Sequence, residues 1–195
     1  MPELAVLCAY LLGSISFSIL VVRIIARKDI REEGSGNAGA TNVLRAYGAR
    51  AGLLVAVLDV AKGAVAVVAT RMITRDPAWL AASAFAVVLG HVFPVFFRFR
   101  GGKGVATTVG AFLVLTPWPT ISAVGLFVLV VAATRYVSAG SVAAAVVLPL
   151  LSRFVLPAPD AAVFAQVAVA FLIVGKHVEN LKRLAAGTER RLGQK

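Results

Sequence analysis

Apolar residues occur along this chain in long runs that short polar segments separate. A helix needs about 20 apolar residues to span the hydrocarbon core of a bilayer. Seven runs are candidates, of which the first and third reach that length and the others are shorter: residues 4–25, 53–69, 78–97, 105–115, 121–133, 137–151 and 161–174. The pattern predicts an all-α, polytopic transmembrane helical bundle of about seven helices, in one domain that covers residues 1–195. The short runs 105–115 and 121–133 leave open a re-entrant hairpin, with five or six spans.

The composition supports lipid as the solvent of these helices. Hydrophobic residues make up 59% of the chain and charged residues 15%, against about 45–50% and about 25% in soluble domains. The single cysteine, Cys8, excludes a disulfide within the chain and a cysteine-rich metal motif. Glu3 and the lack of a basic N-terminal region favour a retained first span over a cleaved signal peptide.

The basic residues predict the orientation. With seven spans and the N-terminus outside, sixteen of the 20 Lys and Arg residues lie on the inner side. Only Arg71, Arg75 and Arg153 then lie outside, and Lys62 lies within a span. This bias follows the positive-inside rule, so we expect a cytoplasmic C-terminus. Basic residues placed between apolar runs favour anionic substrates or lipid headgroups as partners, and not nucleic acid.

Three polar segments interrupt the apolar pattern. They are residues 34–42 (GSGNAGATN), followed by Arg45; residues 90–104 (GHVFPVFFRFRGGKG); and residues 176–180 (KHVEN). In the predicted topology all three meet the cytoplasmic interface. Their convergence predicts a functional site there.

The first segment matches the dinucleotide-binding pattern, with Gly34, Gly36 and Gly39 at the required spacing. That fingerprint needs a preceding β-strand, whereas a membrane helix precedes it here, so we reject a nucleotide fold. The glycines still allow backbone amides to approach an anion closely. Neutral donors accompany them: Ser35, Asn37, Thr41 and Asn42. We favour a phosphate-binding loop, the alternative being a flexible turn.

The second segment contains Gly101-Gly-Lys-Gly104, which resembles part of a nucleotide-binding P-loop. The first glycine of that motif is missing, because Arg98 occupies its position, and we reject an NTPase. Lys103 between Gly102 and Gly104 is nevertheless predicted to bind a phosphate. A basic residue that anchors the helix at lipid headgroups is the alternative.

The third segment places His177 and Asn180 on one helical face, with Lys176 close to that face. Glu179 is a candidate base, an orienting partner of Lys176 or a solvated side chain. The role of His91 is open, since a histidine in a membrane helix often hydrogen-bonds a neighbouring helix.

Two further features are ambiguous. Asp59 and Lys62 are three residues apart inside the second run, and a structural ion pair is the favoured interpretation. Ser141 serves either helix packing or substrate binding.

In this order the three segments resemble the PlsY family of bacterial acyl-phosphate–glycerol-3-phosphate acyltransferases. The resemblance covers nearly the whole chain, with additional matches at residues 59–63 (DVAKG), 138–141 (SAGS) and 181–184 (LKRL). It implies a multi-pass enzyme of the bacterial cytoplasmic membrane with its active site facing the cytoplasm. The enzyme would move a fatty acyl group from acyl phosphate to the 1-hydroxyl of sn-glycerol 3-phosphate, without cofactor or metal. The products would be lysophosphatidic acid and phosphate. The enzyme that makes acyl phosphate is a possible partner.

We assign site residues on this basis. The catalytic candidates are Ser35, His177 and Asn180. The substrate-binding candidates are Gly34, Gly36, Asn37, Gly39, Thr41, Asn42, Arg45, Gly102, Lys103, Gly104, Ser141 and Lys176. Two alternatives remain. A transporter for organic phosphates would explain the basic cluster but usually shows internal repeats, and a lipid-binding scaffold leaves the polar segments unexplained.

Overall fold

The computed structural model describes residues 1–194, and that part of the chain contains α-helices and no β-strand. The helices are α1 (Pro2–Gly13), α2 (Phe17–Ala26), α3 (Ala40–Tyr47), α4 (Ala49–Ile73), α5 (Pro77–Val92), α6 (Val105–Leu115), α7 (Pro117–Thr134), α8 (Val137–Phe154), α9 (Asp160–Lys176) and α10 (Val178–Ala185). Two 3-10 turns cover Ile30–Glu32 and Val95–Phe97. The predicted all-α membrane architecture is confirmed.

Five stretches within residues 1–194 are long and apolar enough to cross a membrane: Pro2–Ala26, Ala49–Ile73, Pro77–Phe97, Pro117–Thr134 and Val137–Phe154. Helices α9 and α10 count as a sixth if they form one span that bends by 56°. Five of the seven apolar runs fall within single helices, and run 105–115 has the bounds of α6. Run 4–25 is divided between α1 and α2, and run 78–97 covers α5 and the 3-10 turn after it. The number of about seven spans and the orientation of the termini stay predictions.

Helix α6 has 11 residues, which gives about 16 Å of length at 1.5 Å per residue. A bilayer core is about 30 Å thick, so α6 alone is too short to cross it. The irregular chain before α6 lines a cavity and lies partly within the protein. Non-helical backbone is tolerated at membrane depth in that setting.

Glycines hold the central helices at close range. A methyl group added to Gly110 of α6 would lie 1.8 Å from the carbonyl oxygen of Val60 in α4, and one on Gly63 of α4 would lie 2.2 Å from that of Thr107 in α6. Small residues that let backbones approach are typical of helix packing in membranes, where dispersion replaces the hydrophobic effect.

Large apolar side chains cover much of the outer surface. Met72, Phe154, Phe164 and Phe171 are each at least 75% exposed. A soluble monomer rarely exposes apolar patches on this scale. These side chains therefore face the lipid, while the core lies between α1, α4, α5, α6 and α9.

The end of α5, the starts of α6 and α8 and the end of α9 all border one cavity, together with Ala56 and Asp59 in the first half of α4. The three polar segments are the connections beside that cavity, which brings them together as the sequence predicts.

Candidate active site

A cavity of about 1040 Å³ opens between the polar segments and extends into the bundle. All three segments contribute to its lining: residues 34–37 and 39–42 before and within α3, residues 99–101, 103 and 104 before α6, and residues 176, 177, 179 and 180 at the junction of α9 and α10. Gly102, a predicted substrate-binding residue, lies behind this lining, against the ring of His91. Helices α6, α7 and α8 form the rest of its wall. The cavity thus has a polar end at the three segments and an apolar end inside the bundle.

Asn42 organises the first segment. Its Oδ1 accepts a hydrogen bond from the amide of Ser35 (3.0 Å), and its Nδ2 donates to the carbonyls of Ile30 (3.2 Å) and Glu33 (2.9 Å). The side chain is 2% exposed. Asn42, a predicted substrate-binding residue, lines the cavity, and these contacts also give it a role in folding the loop.

Several amides of this loop are already engaged. The amide of Gly36 donates to the carbonyl of Glu33, and that of Gly39 donates to the carbonyl of Asn37, each at 3.0 Å. The amides of Ala40 and Thr41 lie in the first turn of α3, where a helix leaves N–H groups without an intrahelical partner. Any backbone contribution to anion binding therefore comes from the start of α3 more than from the glycines themselves.

A chain of polar contacts links the second segment to the third. The ammonium group of Lys103 donates to Oδ1 of Asn180, and Nδ2 of Asn180 donates to Oε1 of Glu189 (2.6 Å). Glu189 also accepts from the hydroxyl of Ser138 (2.8 Å) and from Nε of Arg183 (2.7 Å). One carboxylate thereby orients the amide that contacts Lys103.

Sequence reasoning missed Glu189. Burial alone would raise the pKa of its carboxyl, but the hydrogen bonds from Asn180, Arg183 and Ser138 outweigh burial and lower the pKa. Glu189 is the single acidic residue after Glu179 in a basic tail. Its position as the one acidic residue in this basic stretch is the sequence signal that could have indicated Glu189.

The environment of Lys103 is unusual for a lysine. Burial lowers the pKa of its ammonium group from 10.5 to about 8, although Glu189 acts in the opposite direction. Neighbouring cations add to the lowering: Arg183, Arg45 and Lys176. The local excess of positive charge suits a dianionic ligand, which would restore the stability of the charged lysine.

Arg45 extends from α3 into the same cavity. One terminal nitrogen donates to the carbonyl of Arg190 (3.1 Å), while its Nε is buried without a protein partner in residues 1–194. A buried donor left unpaired is costly. The arrangement leaves a donor for a ligand at the polar end.

His177 follows α9 and is 3% exposed. Its Nδ1 lies 2.8 Å from the carbonyl of Ile173, and a carbonyl can only accept, so Nδ1 carries the proton. In the neutral ring Nε2 is then an acceptor. Ser141 donates to the carbonyl of Val137 (2.8 Å) and keeps its lone pairs for the cavity that it lines.

Other sequence candidates lie at the rim. Lys176 lines the cavity, and its ammonium group lies 5.0 Å from the ring centre of Phe93. Glu179 is exposed and pairs with Lys182 at 2.8 Å, so it orients neither Lys176 nor the buried network. Ser35 is exposed at the cavity mouth.

The inner part of the cavity is apolar. Its wall includes Val109 of α6, Val124 and Phe127 of α7, and Ala145 and Leu148 of α8. Ser138 and Leu148 are ten residues apart on α8, which corresponds to about 15 Å along the helix. The cavity therefore accommodates a long apolar group whose polar end remains near Lys103.

Within residues 1–194 no group of three or more His, Cys, Asp or Glu side chains is placed to hold a metal ion. The cavity lining thus combines cations, amides, hydroxyls, the imidazoles of His91 and His177, and the buried carboxylates of Asp59 and Glu189.

Comparison with known proteins identifies this arrangement. The model of the family described as "Glycerol-3-phosphate acyltransferase" matches residues 4–187. A glycerol-3-phosphate acyltransferase of Halalkalibacterium halodurans is 42% identical, covering 98% of this chain and 96% of the relative. One from Coxiella burnetii is 41% identical, covering 95% of each chain.

Two solved structures share the fold. The glycerol 3-phosphate form of PlsY (YgiH), an integral membrane glycerol 3-phosphate acyltransferase, superposes with a TM-score of 0.93 at 38% identity and covers 98% of this chain and 96% of its own. Its lysophosphatidic acid form gives 0.90 at 37% identity, covering 98% and 95%. The chain belongs to the glycerol-3-phosphate acyltransferase family.

Proposed function

We propose that this protein transfers a fatty acyl group from acyl phosphate to the 1-hydroxyl of sn-glycerol 3-phosphate, giving lysophosphatidic acid and phosphate. The observation that carries the proposal is one cavity with a cationic polar end and an apolar inner wall. Both substrates bear a phosphate, and one bears an acyl chain. The solved neighbours, named for glycerol 3-phosphate and lysophosphatidic acid, support the acceptor and the product.

The polar end supplies the phosphate contacts. Lys103 and Arg45 bind the phosphate of glycerol 3-phosphate, since charged hydrogen bonds to a dianion contribute about 1.5–3 kcal/mol each. Ser35 and the amides at the start of α3 hold the phosphate of the donor. Lys176 and Ser141 border the same space.

The reaction is a direct transfer. The 1-hydroxyl oxygen attacks the carbonyl carbon of acyl phosphate, an ester C–O bond forms, and the C–O bond to the phosphate breaks. Phosphate departs with the electron pair and takes up the hydroxyl proton. Because acyl phosphate is a mixed anhydride with a good leaving group, the step requires no nucleotide and no covalent enzyme intermediate.

His177 and Asn180 orient the acceptor. Nε2 of His177 is free to accept a hydrogen bond from the attacking hydroxyl, because Nδ1 donates to Ile173. Asn180 holds Lys103 in place through Oδ1, while Glu189 fixes the amide from the other side. Correct placement of reacting groups accounts for a large part of most rate enhancements.

We further propose that the site faces the cytoplasm of a bacterial cell, at the inner membrane. The concentration of basic residues on the cavity side supports this orientation. The donor would reach the cavity from the enzyme that makes acyl phosphate. A transporter of organic phosphates is not supported, because the family and both solved neighbours are named as acyltransferases.

The purified protein in detergent tests the donor. With palmitoyl phosphate and glycerol 3-phosphate we expect equimolar release of phosphate and formation of lysophosphatidic acid, and with palmitoyl-CoA no transfer above background. A Lys103→Met variant is the matched control and should lose most of the rate. Transfer from palmitoyl-CoA at a comparable rate, or folded protein without turnover of palmitoyl phosphate, would contradict the proposal.

A further inference from the structure

A buried charged network lies beneath the polar end of the cavity and has no part in the reaction described above. Asp59 and Lys62 of α4 form an ion pair at 2.8 Å, and Nδ1 of His91 in α5 lies 2.9 Å from the ammonium group of Lys62. The three side chains are 1%, 3% and 6% exposed. Charges at such depth are costly and usually have a specific function.

The contacts of Lys62 determine the tautomer of His91. An ammonium group has three N–H donors. Here it faces three acceptors: the carboxylate of Asp59, Nδ1 of His91 and the carbonyl of Ile15 at 2.8 Å. Oδ1 of Asp59 also lies 3.5 Å from Nδ1 of His91, but the ammonium group is closer to Nδ1, at 2.9 Å, and can only donate to it. Ile15 lies in the break between α1 and α2, so its carbonyl accepts no hydrogen bond within either helix. With Nδ1 accepting, the neutral ring carries its proton on Nε2.

Nε2 of His91 points to the junction of the two glycine segments. A methyl group added to Gly102 would lie 2.2 Å from this nitrogen and 2.8 Å from the carbonyl oxygen of Ala38, so both atoms face the same small space. Among residues 1–194 no side chain or backbone group hydrogen-bonds Nε2. Ala38 belongs to segment 34–42, and Gly102 is adjacent to Lys103.

The backbone of His91 reaches the same loop. The amide of Gly102 donates to the carbonyl of His91 (3.1 Å), and that of Gly101 donates to the carbonyl of Val92 (3.3 Å). These two hydrogen bonds hold Gly101 and Gly102 along the end of α5, with the ring of His91 beside them. The ring therefore limits where Gly102, and the adjacent Lys103, can lie.

We propose that His91, held by Lys62 and Asp59 with its proton on Nε2, is a positioning residue that keeps segment 101–104 in register with segment 34–42. In this way it places Lys103 against the phosphate of glycerol 3-phosphate. The inference rests on the proposed function, because the expected effect of misplacing segment 101–104 is weaker binding of glycerol 3-phosphate. It adds Asp59, Lys62 and His91 to the residues on which the reaction depends.

Two substitutions of His91 separate this role from a merely structural one. An asparagine amide reaches about as far as Nδ1, and a glutamine amide about as far as Nε2. His91→Asn therefore keeps an acceptor for Lys62 and loses the group that packs beside Gly102, whereas His91→Gln restores a polar group of similar reach there. We expect His91→Asn to raise the KM for glycerol 3-phosphate by roughly 10–100-fold, since a displacement of about 1 Å can cost 10²-fold. The KM for acyl phosphate should stay close to that of the parent, and His91→Gln should recover most of the loss.

The outcomes are distinct. Parent-like kinetics of His91→Asn, equal impairment of both folded variants, or equal increases of both KM values would overturn the proposal. Absence of transfer by the parent protein would contradict the proposed function instead.

A second measurement does not require a variant of His91 to fold. The chain has two histidines, so selective ¹⁵N-imidazole labelling gives two sets of NMR signals, which a His177→Gln variant assigns. We expect a proton on Nε2 of His91 and on Nδ1 of His177. A proton on Nδ1 of His91 would show that Lys62 does not hold it as described, and the proposal would be wrong.

Discussion

In the proposed site, Lys103 is the residue whose charge and burial bear most directly on substrate binding. Its pKa of about 8 means that the ammonium form predominates below that pH and is lost above it. Only the charged form attracts a phosphate, so we expect kcat/KM for glycerol 3-phosphate to fall as the pH rises through about 8. A second fall is expected below about pH 6, where a phosphate monoester becomes monoanionic.

A Lys103→Arg variant is the control for this pH profile. Arginine keeps its charge throughout the range, so the alkaline fall should disappear even if the absolute rate is lower. An alkaline limb that persists unchanged in Lys103→Arg would show that another group titrates. Initial rates at subsaturating glycerol 3-phosphate, corrected for spontaneous hydrolysis of acyl phosphate, provide the measurement.

Under the proposed function, Glu189 acts on the reaction through its hydrogen bond with Asn180. Glu189→Gln replaces a charged acceptor with a neutral amide and weakens the bonds from Asn180, Arg183 and Ser138. Loss of one charged hydrogen bond corresponds to about 1.5 kcal/mol, so we expect kcat to fall roughly tenfold. The control is Glu32→Gln, which removes an exposed carboxylate outside the cavity. Equal rates for the two variants would refute a positioning role for Glu189.

At the scale of the elements, close approach of α4 and α6 supports the loop that carries Lys103. Gly110→Ala would place a methyl group 1.8 Å from the carbonyl oxygen of Val60. Overpacking of this kind costs about 1–3 kcal/mol, and we expect a lower midpoint of thermal unfolding in detergent.

Gly125→Ala on α7 is the matched control, because nothing lies within 4 Å of its added methyl group. It should leave the midpoint unchanged or raise it slightly, since alanine favours helices. A midpoint of Gly110→Ala equal to that of Gly125→Ala would contradict the packing argument.

The helices could be predicted from the sequence because lipid imposes a strong pattern: a spanning segment must be apolar over its whole length. The break between α1 and α2 gave no such signal, since residues 14–16 are small or apolar and interrupt no run. The polar segments were also recognisable, because polar residues between spans are conspicuous.

The sequence could not show which residues of the site face a substrate and which hold the loops in place. Asn42 carries an amide of the kind that often binds substrates, yet its hydrogen-bond partners in the structure are backbone groups up to 12 residues away. Glu189 bonds Ser138 across 51 residues of sequence. Neither partner can be deduced from spacing along the chain, because tertiary packing alone creates these contacts.

At the scale of the whole molecule, all chemistry lies on one side of the bundle, and the distribution of basic residues predicts that this side is cytoplasmic. In a Cys8→Ala background, single cysteines at positions 100 and 190 should resist an impermeant thiol reagent added to intact cells. Cysteines at 75 and 157 should react. All four positions are exposed in the structure, so lack of access would reflect the membrane. Reaction at position 100 from outside would reverse the orientation.

The central claim is that one cavity holds both substrates and that the acyl group moves directly between them. Initial rates over a grid of acyl phosphate and glycerol 3-phosphate concentrations test it most directly. A ternary complex predicts double-reciprocal lines that intersect, with no acyl ester on Ser35 in mass spectra taken during turnover. Parallel lines, which indicate a ping-pong reaction, together with an acyl ester on Ser35 would contradict direct transfer.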